Sequence, residues 1–322
     1  MNKNLRKLYY LFKYGGWDYV RVGMIKKVLG REKGDKAKEQ LYIKIKQMKP
    51  EQYEAELTKI YALKTGEKLD LKNPQTFNEK IQWLKLYDKK IPLKTTLTDK
   101  YLVRDWIKEK IGEQYLIPLI GVWDKFDDIN IDELPNQFVL KANHGSGWNV
   151  VVKDKSKVDW NKVREKFNKW LSLNYAFAVT GFQLQYLNIV PKIIAEQYIE
   201  NENGNLYDYK IHCFNGKPEY IQMVGDRNLD EHCAKESFYN TEWVLQPFSY
   251  TNPRYETVKK KPPKLADMLK IASTLSAEFA YVRVDLYELD NGDIKFGEMT
   301  FTPVSGFDSW KPAEMINPHC RQ

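Results

Sequence analysis

Along the first ninety residues, apolar positions recur every three or four places, the spacing that lines one face of an α-helix. Gly15-Gly16, Gly30 and Gly34 read as breaks in this stretch, and Asn73-Pro74 ends one segment. Thr76 then opens a helix, TFNEKIQWLKLYD, with Glu79 three residues on, the spacing of a capping box. Thr98 and Asp99 precede a further helical pattern through Trp106 and Ile107 to Ile111, and Gly112 stops it. Residues 118–152 alternate short strands with loops, and residues 159–173 are again helical. From Pro191 the chain turns to strands: PKIIAEQYIE, YDYKIHCF and PEYIQMV, then a helix over 264–278, then YVRVDLYEL and DIKFGEM. No internal repeat or low-complexity tract is present. A helical start, a mixed middle and a strand-rich end predict an α+β molecule with more than one lobe.

One stretch raises a chemical question. FVLKANHGSGWNVVV, residues 138–152, sets Lys141 inside an apolar run just before a glycine-rich loop. The lysine is either a solvated side chain on an edge strand or a clamp for phosphate. Unpaired in a core, it would cost several kcal/mol or lose its proton.

Two hairpins carry more geometry. Asn291-Gly292 separates two strand-like runs, and a two-residue Asn-Gly turn fixes their register. Leu289 then faces Ile294, Glu288 faces Lys295 and Tyr287 faces Phe296. The same count puts Asp285 opposite Glu298 and Arg283 opposite Thr300. Opposed carboxylates, with Cβ atoms about 5 Å apart, repel unless a proton or a cation separates them. The site is therefore either a Mg²⁺ site of oxygen ligands or a charged face bridged by Arg283. Asn215-Gly216 turns the second hairpin and pairs His212 with Glu219, a structural use for that histidine. Asp208 and Lys210, on one face of the same strand, are better candidates for ligand contact.

Composition changes the picture in one place. The 322 residues are 43% hydrophobic and 29% charged, ordinary for a globular chain. No eighteen-residue apolar run and no signal peptide are visible, three unpaired-looking cysteines suit a reducing compartment, and four scattered histidines show no zinc spacing. Residues 1–50, however, hold 14 Lys or Arg against 4 Asp or Glu. These cations are interleaved with Leu5, Leu8, Tyr9, Leu11, Phe12, Trp17, Val20, Met24, Ile25, Val28 and Leu29. That mixture is either an interfacial helix on an anionic membrane or a basic collar packed on the main domain. Nucleic acid is the weaker option, since no recognised module accompanies the charge.

The parts assemble in a familiar order. Asp99-Lys100 opens a helix, Lys141 precedes a glycine-rich loop, AEQYI ends a strand with a glutamate, and RVD faces GEMT across a hairpin. This order resembles the ATP-grasp superfamily. NPQTFNEKIQWLKLYD, LTDKY, LPNQFVLKANHGSG, DYKIHCFNGKP and VRVDLYE…FGEMTFTPVSG resemble its TupA-like branch, associated with teichuronopeptide, capsule and O-antigen clusters. The likeness covers residues 73–307.

The resemblance implies an ATP-grasp fold holding a nucleotide between two sheet-containing subdomains. The expected organisation is a basic, mostly helical segment over 1–72, the N-terminal and lid portions over 73–195, and a C-terminal subdomain with the metal site over 196–322. Lys100 and Lys141 would hold the phosphates, and His144, Gly145, Ser146 and Gly147 would lie over them. Glu196, Gln197, Tyr198 and Ile199 would form the adenine-side hinge, with Asp208 and Lys210 as further contacts. Asp285, Glu298 and Thr300 would carry Mg²⁺, and Arg283 would steady the transferred group. Thr300 stands where most ATP-grasp enzymes have Asn, which leaves one metal or two open. Little sequence after the site remains to build an acceptor pocket. The implied activity is an ADP-forming carboxylate–amine ligase that joins an amino acid or peptide to a sugar acid or amino sugar. The cofactors are ATP and Mg²⁺, and the setting is the cytoplasm at the inner membrane face, with no nucleic-acid partner. A sugar or small-molecule kinase on the same scaffold, or a nucleotide-sugar glycosyltransferase, is the alternative.

Overall fold

A computed structural model describes residues 2–178, 181–202, 204, 206–228, 233–249, 252–308 and 310–312. Its helices are α1 (Lys3–Tyr14), α2 (Trp17–Leu29), α3 (Arg31–Lys46), α4 (Tyr53–Thr65), α5 (Phe77–Tyr87), α6 (Ile91–Thr98), α7 (Val103–Lys110), α8 (Trp160–Ser172), α9 (Tyr175–Ala178) and α10 (Leu265–Ser276). Gly15, Gly16 and Gly30 separate the first three helices. Gly34 does not break a helix: it lies within α3, where an added Cβ would meet Lys26 at 2.6 Å, so it serves close α2–α3 packing. The Thr76–Glu79 capping box forms at the start of α5.

The chain packs as two compact units. The first comprises Met1–Pro92, Leu173–Asn188 and Val304–Asp308; the second holds Leu93–Ser172 and Ile189–Pro303. Both units are discontinuous in sequence. Leu86 of α5, with Tyr186 and Phe307 from two later returns of the chain, packs on the same core as Leu57 and Tyr61 of α4. The break at Asn73-Pro74 is thus only a local turn.

The second unit contains two antiparallel sheets. One has the order β1 (Leu119–Trp123), β4 (Ile193–Gln197), β2 (Phe138–Ala142), β3 (Asn149–Val152). Phe138, Leu140, Ala142, Ile193 and Ala195 share a core with Val163 and Phe167 of α8. The other has the order β10 (Ile294–Thr300), β9 (Tyr281–Glu288), β5 (Asp208–Phe214), β6 (Lys217–Asn228), β7 (Cys233–Asn240). Ile211, Cys213, Val282, Val284 and Met299 share a core with Met268, Ala272 and Leu275 of α10. Alternation along those strands puts Asp208, Lys210, His212, Arg283, Asp285, Glu298 and Thr300 on the opposite face. Two short strands, β8 (Phe248–Ser249) and β11 (Lys311–Pro312), pair separately. Cys320 lies outside the described residues.

Both hairpins correct the expected register. At Asn215-Gly216 the two-residue turn forms, with φ of +51° and +77°. An irregularity then shifts the pairing, so His212 faces Tyr220 rather than Glu219. At Asn291-Gly292 only Gly292 has positive φ, and Leu289 N–H donates to Asp293 O across a three-residue loop. Ile294 therefore faces Glu288, Lys295 faces Tyr287 and Phe296 faces Leu286, one place off expectation. A bulge at Gly297 restores the count, and Asp285 faces Glu298 and Arg283 faces Thr300 as expected.

Candidate active site

Strand alternation explains Lys141. With Leu140 and Ala142 buried toward α8, Val139 and Lys141 stand on the other face of β2. There Lys141 Nζ lies 2.5 Å from Glu196 Oε2 of β4, and Arg104 Nη1 of α7 lies 3.0 Å from Glu196 Oε1. The carboxylate is buried between two cations, which compensates its desolvation. Glu196 is thus the counter-ion of Lys141 and Arg104.

Lys100 is tied to the glycine-rich loop. Asp99, just before it, accepts N–H bonds from Tyr101 at 2.8 Å and Leu102 at 3.2 Å, and from Asn143 Nδ2 at 3.0 Å. Burial raises the Asp99 pKa despite these donors. Asn143 Oδ1 in turn accepts from Lys192 N–H at 2.7 Å. Lys100 N–H donates to Asn143 O at 3.2 Å, and the Lys100 ammonium donates to Gly145 O. Burial lowers the Lys100 pKa; Glu298 pulls it up and Lys141 pushes it down.

The loop owes its course to aromatic packing. A Cβ on Gly145 would come within 2.4 Å of the Trp148 ring. Trp148 stacks on Trp170 of α8 with centroids 6.1 Å apart. His144, expected to lie over phosphate, is buried instead. Its Nδ1 is 3.2 Å from Asn143 Oδ1 and its Nε2 3.0 Å from Trp170 O, so it fastens the loop to α8. Ser146 is exposed and Gly147 has φ +71°. Past Glu196, Gln197 N–H donates to Pro118 O at 2.9 Å, Tyr198 OH donates to Glu200 Oε2 at 2.6 Å, and Ile199 is half-buried.

The second sheet supplies a charged ladder. Arg283 donates from Nε and Nη2 to the two oxygens of Asp285, each at 2.7 Å. Arg283 Nη2 also reaches Glu298 Oε1 at 3.2 Å and Thr300 Oγ1 at 3.1 Å, and Thr300 Oγ1 donates to Glu298 Oε1 at 3.1 Å. Lys210 Nζ lies 2.6 Å from both Asp208 and Asp285. Burial alone would lower the Lys210 pKa, but Asp208 and Asp285 outweigh it and raise the value. Arg283 is held above its ordinary value in the same way, against burial, chiefly by Asp285. The repulsion expected between Asp285 and Glu298 is thus bridged by a guanidinium.

Lys100, Arg104, Lys141 and Glu196 line one cleft with Gly297 and Glu298 of β10, walled by Leu97, Val103, Leu116 and Phe296. Both sheets contribute to it. Arg104 was not anticipated, because its spacing reads as an ordinary helix-surface cation. Among the described residues no three His, Cys, Asp or Glu side chains form a metal-holding group. Asp285, Glu298 and Thr300 offer two carboxylates and a hydroxyl, a partial set of hard oxygen donors that suits Mg²⁺ when phosphate oxygens complete it. His212 is no part of this chemistry: it is buried against Tyr281 OH at 2.9 Å, and burial, with Arg283 nearby, lowers its pKa to about 3.

Two antiparallel sheets that bring Lys100, Lys141 and Glu298 to one cleft suit an ATP-grasp fold. The family model for TupA-like ATP-grasp proteins matches residues 79–316, and the chain belongs to that family. Solved structures with similar folds include a D-alanine–D-alanine ligase from Bacillus anthracis complexed with ATP, at 18% identity and TM-score 0.40, covering 64% of this chain and 55% of that one. An L-amino acid ligase from Bacillus licheniformis matches at 14% identity and TM-score 0.41, over 71% of this chain and 49% of that one. An N5-carboxyaminoimidazole synthetase from Staphylococcus aureus matches at 14% identity and TM-score 0.36, over 64% and 44%. The chain spans about half the length of the solved structures it matches. No curated protein matches it.

Proposed function

We propose that the protein is an ADP-forming carboxylate–amine ligase that activates a carboxylate as an acylphosphate. The observation that supports this most is a single cleft with Lys100, Lys141 and Arg104 at one side and Glu298, leading to Arg283 and Asp285, at the other. A carboxylate oxygen attacks the γ-phosphorus, the bond to the β-phosphate oxygen breaks, and ADP leaves. An amine then attacks the acyl carbon, phosphate departs, and the amine proton passes to phosphate or water. Charge neutralisation and alignment supply most of the acceleration in such a transfer.

Lys100 and Lys141 are the phosphate contacts, with Glu196 and Arg104 orienting Lys141. Gly145, Ser146 and Gly147 cover the phosphates with backbone N–H groups. Gln197, Tyr198 and Ile199 border the base, and Asp208 with Lys210 borders the ribose side. Arg283 donates to the transferred phosphoryl oxygens. Asp285, Glu298 and Thr300 would hold Mg²⁺, which when bound would supply charge neutralisation at the phosphates. Among the described residues, the buried Cys213 thiol is pushed up to about 12 by burial and His212 stays neutral, so neither is an activated nucleophile.

The substrates are an amino acid or short peptide and a sugar acid or amino sugar of a bacterial surface polysaccharide. With a lipid-linked acceptor, the basic N-terminal segment would hold the enzyme at the cytoplasmic membrane face. The test is incubation with Mg²⁺, ATP and a panel of amino acids and uronic acids, with hydroxylamine as trap. ADP together with a hydroxamate supports the ligase. AMP and pyrophosphate contradict it, a stable phosphate ester marks a kinase, and nucleotide-sugar turnover without ATP marks a glycosyltransferase.

A further inference from the structure

The first thirty residues form two helices, each anchored on one side only. α1 packs on α4 and buries Leu11. α2 packs on α3, where Lys44 pairs with Asp18, and Tyr19 OH donates to Glu56 Oε1 at 2.6 Å. The opposite sides are apolar and uncovered. On α1, Leu5, Leu8, Tyr9 and Phe12 fall at helical spacing and are 56%, 48%, 50% and 71% exposed. On α2, Trp17, Met24 and Val28 are 53%, 61% and 74% exposed. The Phe12 and Trp17 rings meet edge-on at 5.5 Å and join the two stripes across the Gly15-Gly16 turn. Isolated exposed apolar residues are ordinary, but a contiguous two-helix stripe marks a contact surface.

The charge around the stripe selects the partner. Lys13, Lys27 and Arg21 are all exposed, Arg21 falling between Trp17 and Met24 on α2. No helix among the described residues is long and apolar enough to cross a membrane. We infer that α1 and α2 form a monotopic docking surface for an anionic phospholipid bilayer, with Leu5, Leu8, Phe12 and Trp17 inserted at the headgroup boundary and the lysines on lipid phosphates. The stripe takes up acyl-chain contact and the cations take up surface charge, the two components of interfacial binding. A second copy of the chain would bring like charges together. Nucleic acid would satisfy the cations and leave the stripe wet.

This inference is independent of the ligase reading, and its test needs no nucleotide. The full chain is sedimented with vesicles of phosphatidylcholine alone and of phosphatidylcholine with phosphatidylglycerol, beside the Leu8→Ser/Phe12→Ser variant. Both side chains are solvent-facing, so an unchanged melting curve shows that the variant is folded. The expected result is binding only to the anionic vesicles, weakened roughly tenfold or more in the variant and also weakened by salt. Three results overturn the inference: no binding to either vesicle; binding that the variant retains in full, which would be charge alone; or self-association abolished by the variant without vesicle binding, which would make a second copy the occupant.

Discussion

Neutralising Asp285 and Glu298 one at a time separates two accounts of the paired carboxylates. From register alone, removing the charges should relieve repulsion and leave the protein as stable or more so. The contacts predict otherwise. The Asp285 side chain is 2% exposed and accepts two bonds from Arg283 and one contact from Lys210, whose own side chains are 10% and 15% exposed. Asn in its place presents an amide N–H₂ to one of these cations. Breaking a buried ion pair costs about 3–5 kcal/mol; the lower end, about 3 kcal/mol, applies here because Asp208 and Glu298 remain to share Lys210 and Arg283. Glu298 is 33% exposed and meets Arg283 at 3.2 Å, so Glu298→Gln costs under about 1 kcal/mol. Urea denaturation without metal or nucleotide measures both. Asp285→Asn should unfold at clearly lower urea and Glu298→Gln near the wild type, while both lose ATP turnover. An Asp285→Asn protein as stable as the wild type would refute the reasoning and restore repulsion as the dominant effect.

Lys141→Ala should lower ATP turnover by roughly ten- to a hundredfold, the worth of one charge-assisted phosphate contact, and should lower the melting point while leaving the fold intact, because buried Glu196 keeps only Arg104 as its partner. Wild-type ADP release from this variant would eliminate the clamp. The His212 pKa falls from its usual 6.5 to about 3, so its neutral form is the folded one. Its contribution is complete above pH 6.5 and is lost as pH falls toward 3, at about 1.4 kcal/mol per pH unit at most. His212→Gln should flatten that part of the stability–pH curve, and an unchanged slope would show that the ring is protonated in the folded state.

The legible parts of the fold were those with local signals. The Thr76 capping box, the Asn215-Gly216 turn and the alternation in YVRVDLYEL each fix structure through neighbouring residues. The pairing of Asp285 with Glu298 was reached although the loop at Asn291-Gly292 holds three residues instead of two. Gly297 absorbs the difference as a bulge, and its Cα leaves room where a Cβ would lie 3.1 Å from Asp285 O. A glycine inside a strand was the available signal for it. Less legible were features set by distant packing. Gly34 looks like a breaker until Lys26 is placed against it, and β7 in CAKESFYN lacks clean alternation. His144 sits in a loop with the composition of a phosphate cradle, yet the carbonyl of Trp170 and the side chain of Asn143 draw it inward. The Lys141–Glu196–Arg104 cluster joins three elements, and no spacing rule connects residues 104, 141 and 196.

On this mechanism the γ-phosphoryl group passes to a carboxylate in the cleft between the two sheets. The most direct measurement uses a donor acid labelled with oxygen-18 in its carboxylate, with ATP, Mg²⁺ and the amine that gives product. One labelled oxygen from each turnover should appear in the released inorganic phosphate, alongside ADP and amide in equal amounts. Amide formation with unlabelled phosphate, or label carried into AMP, would contradict it.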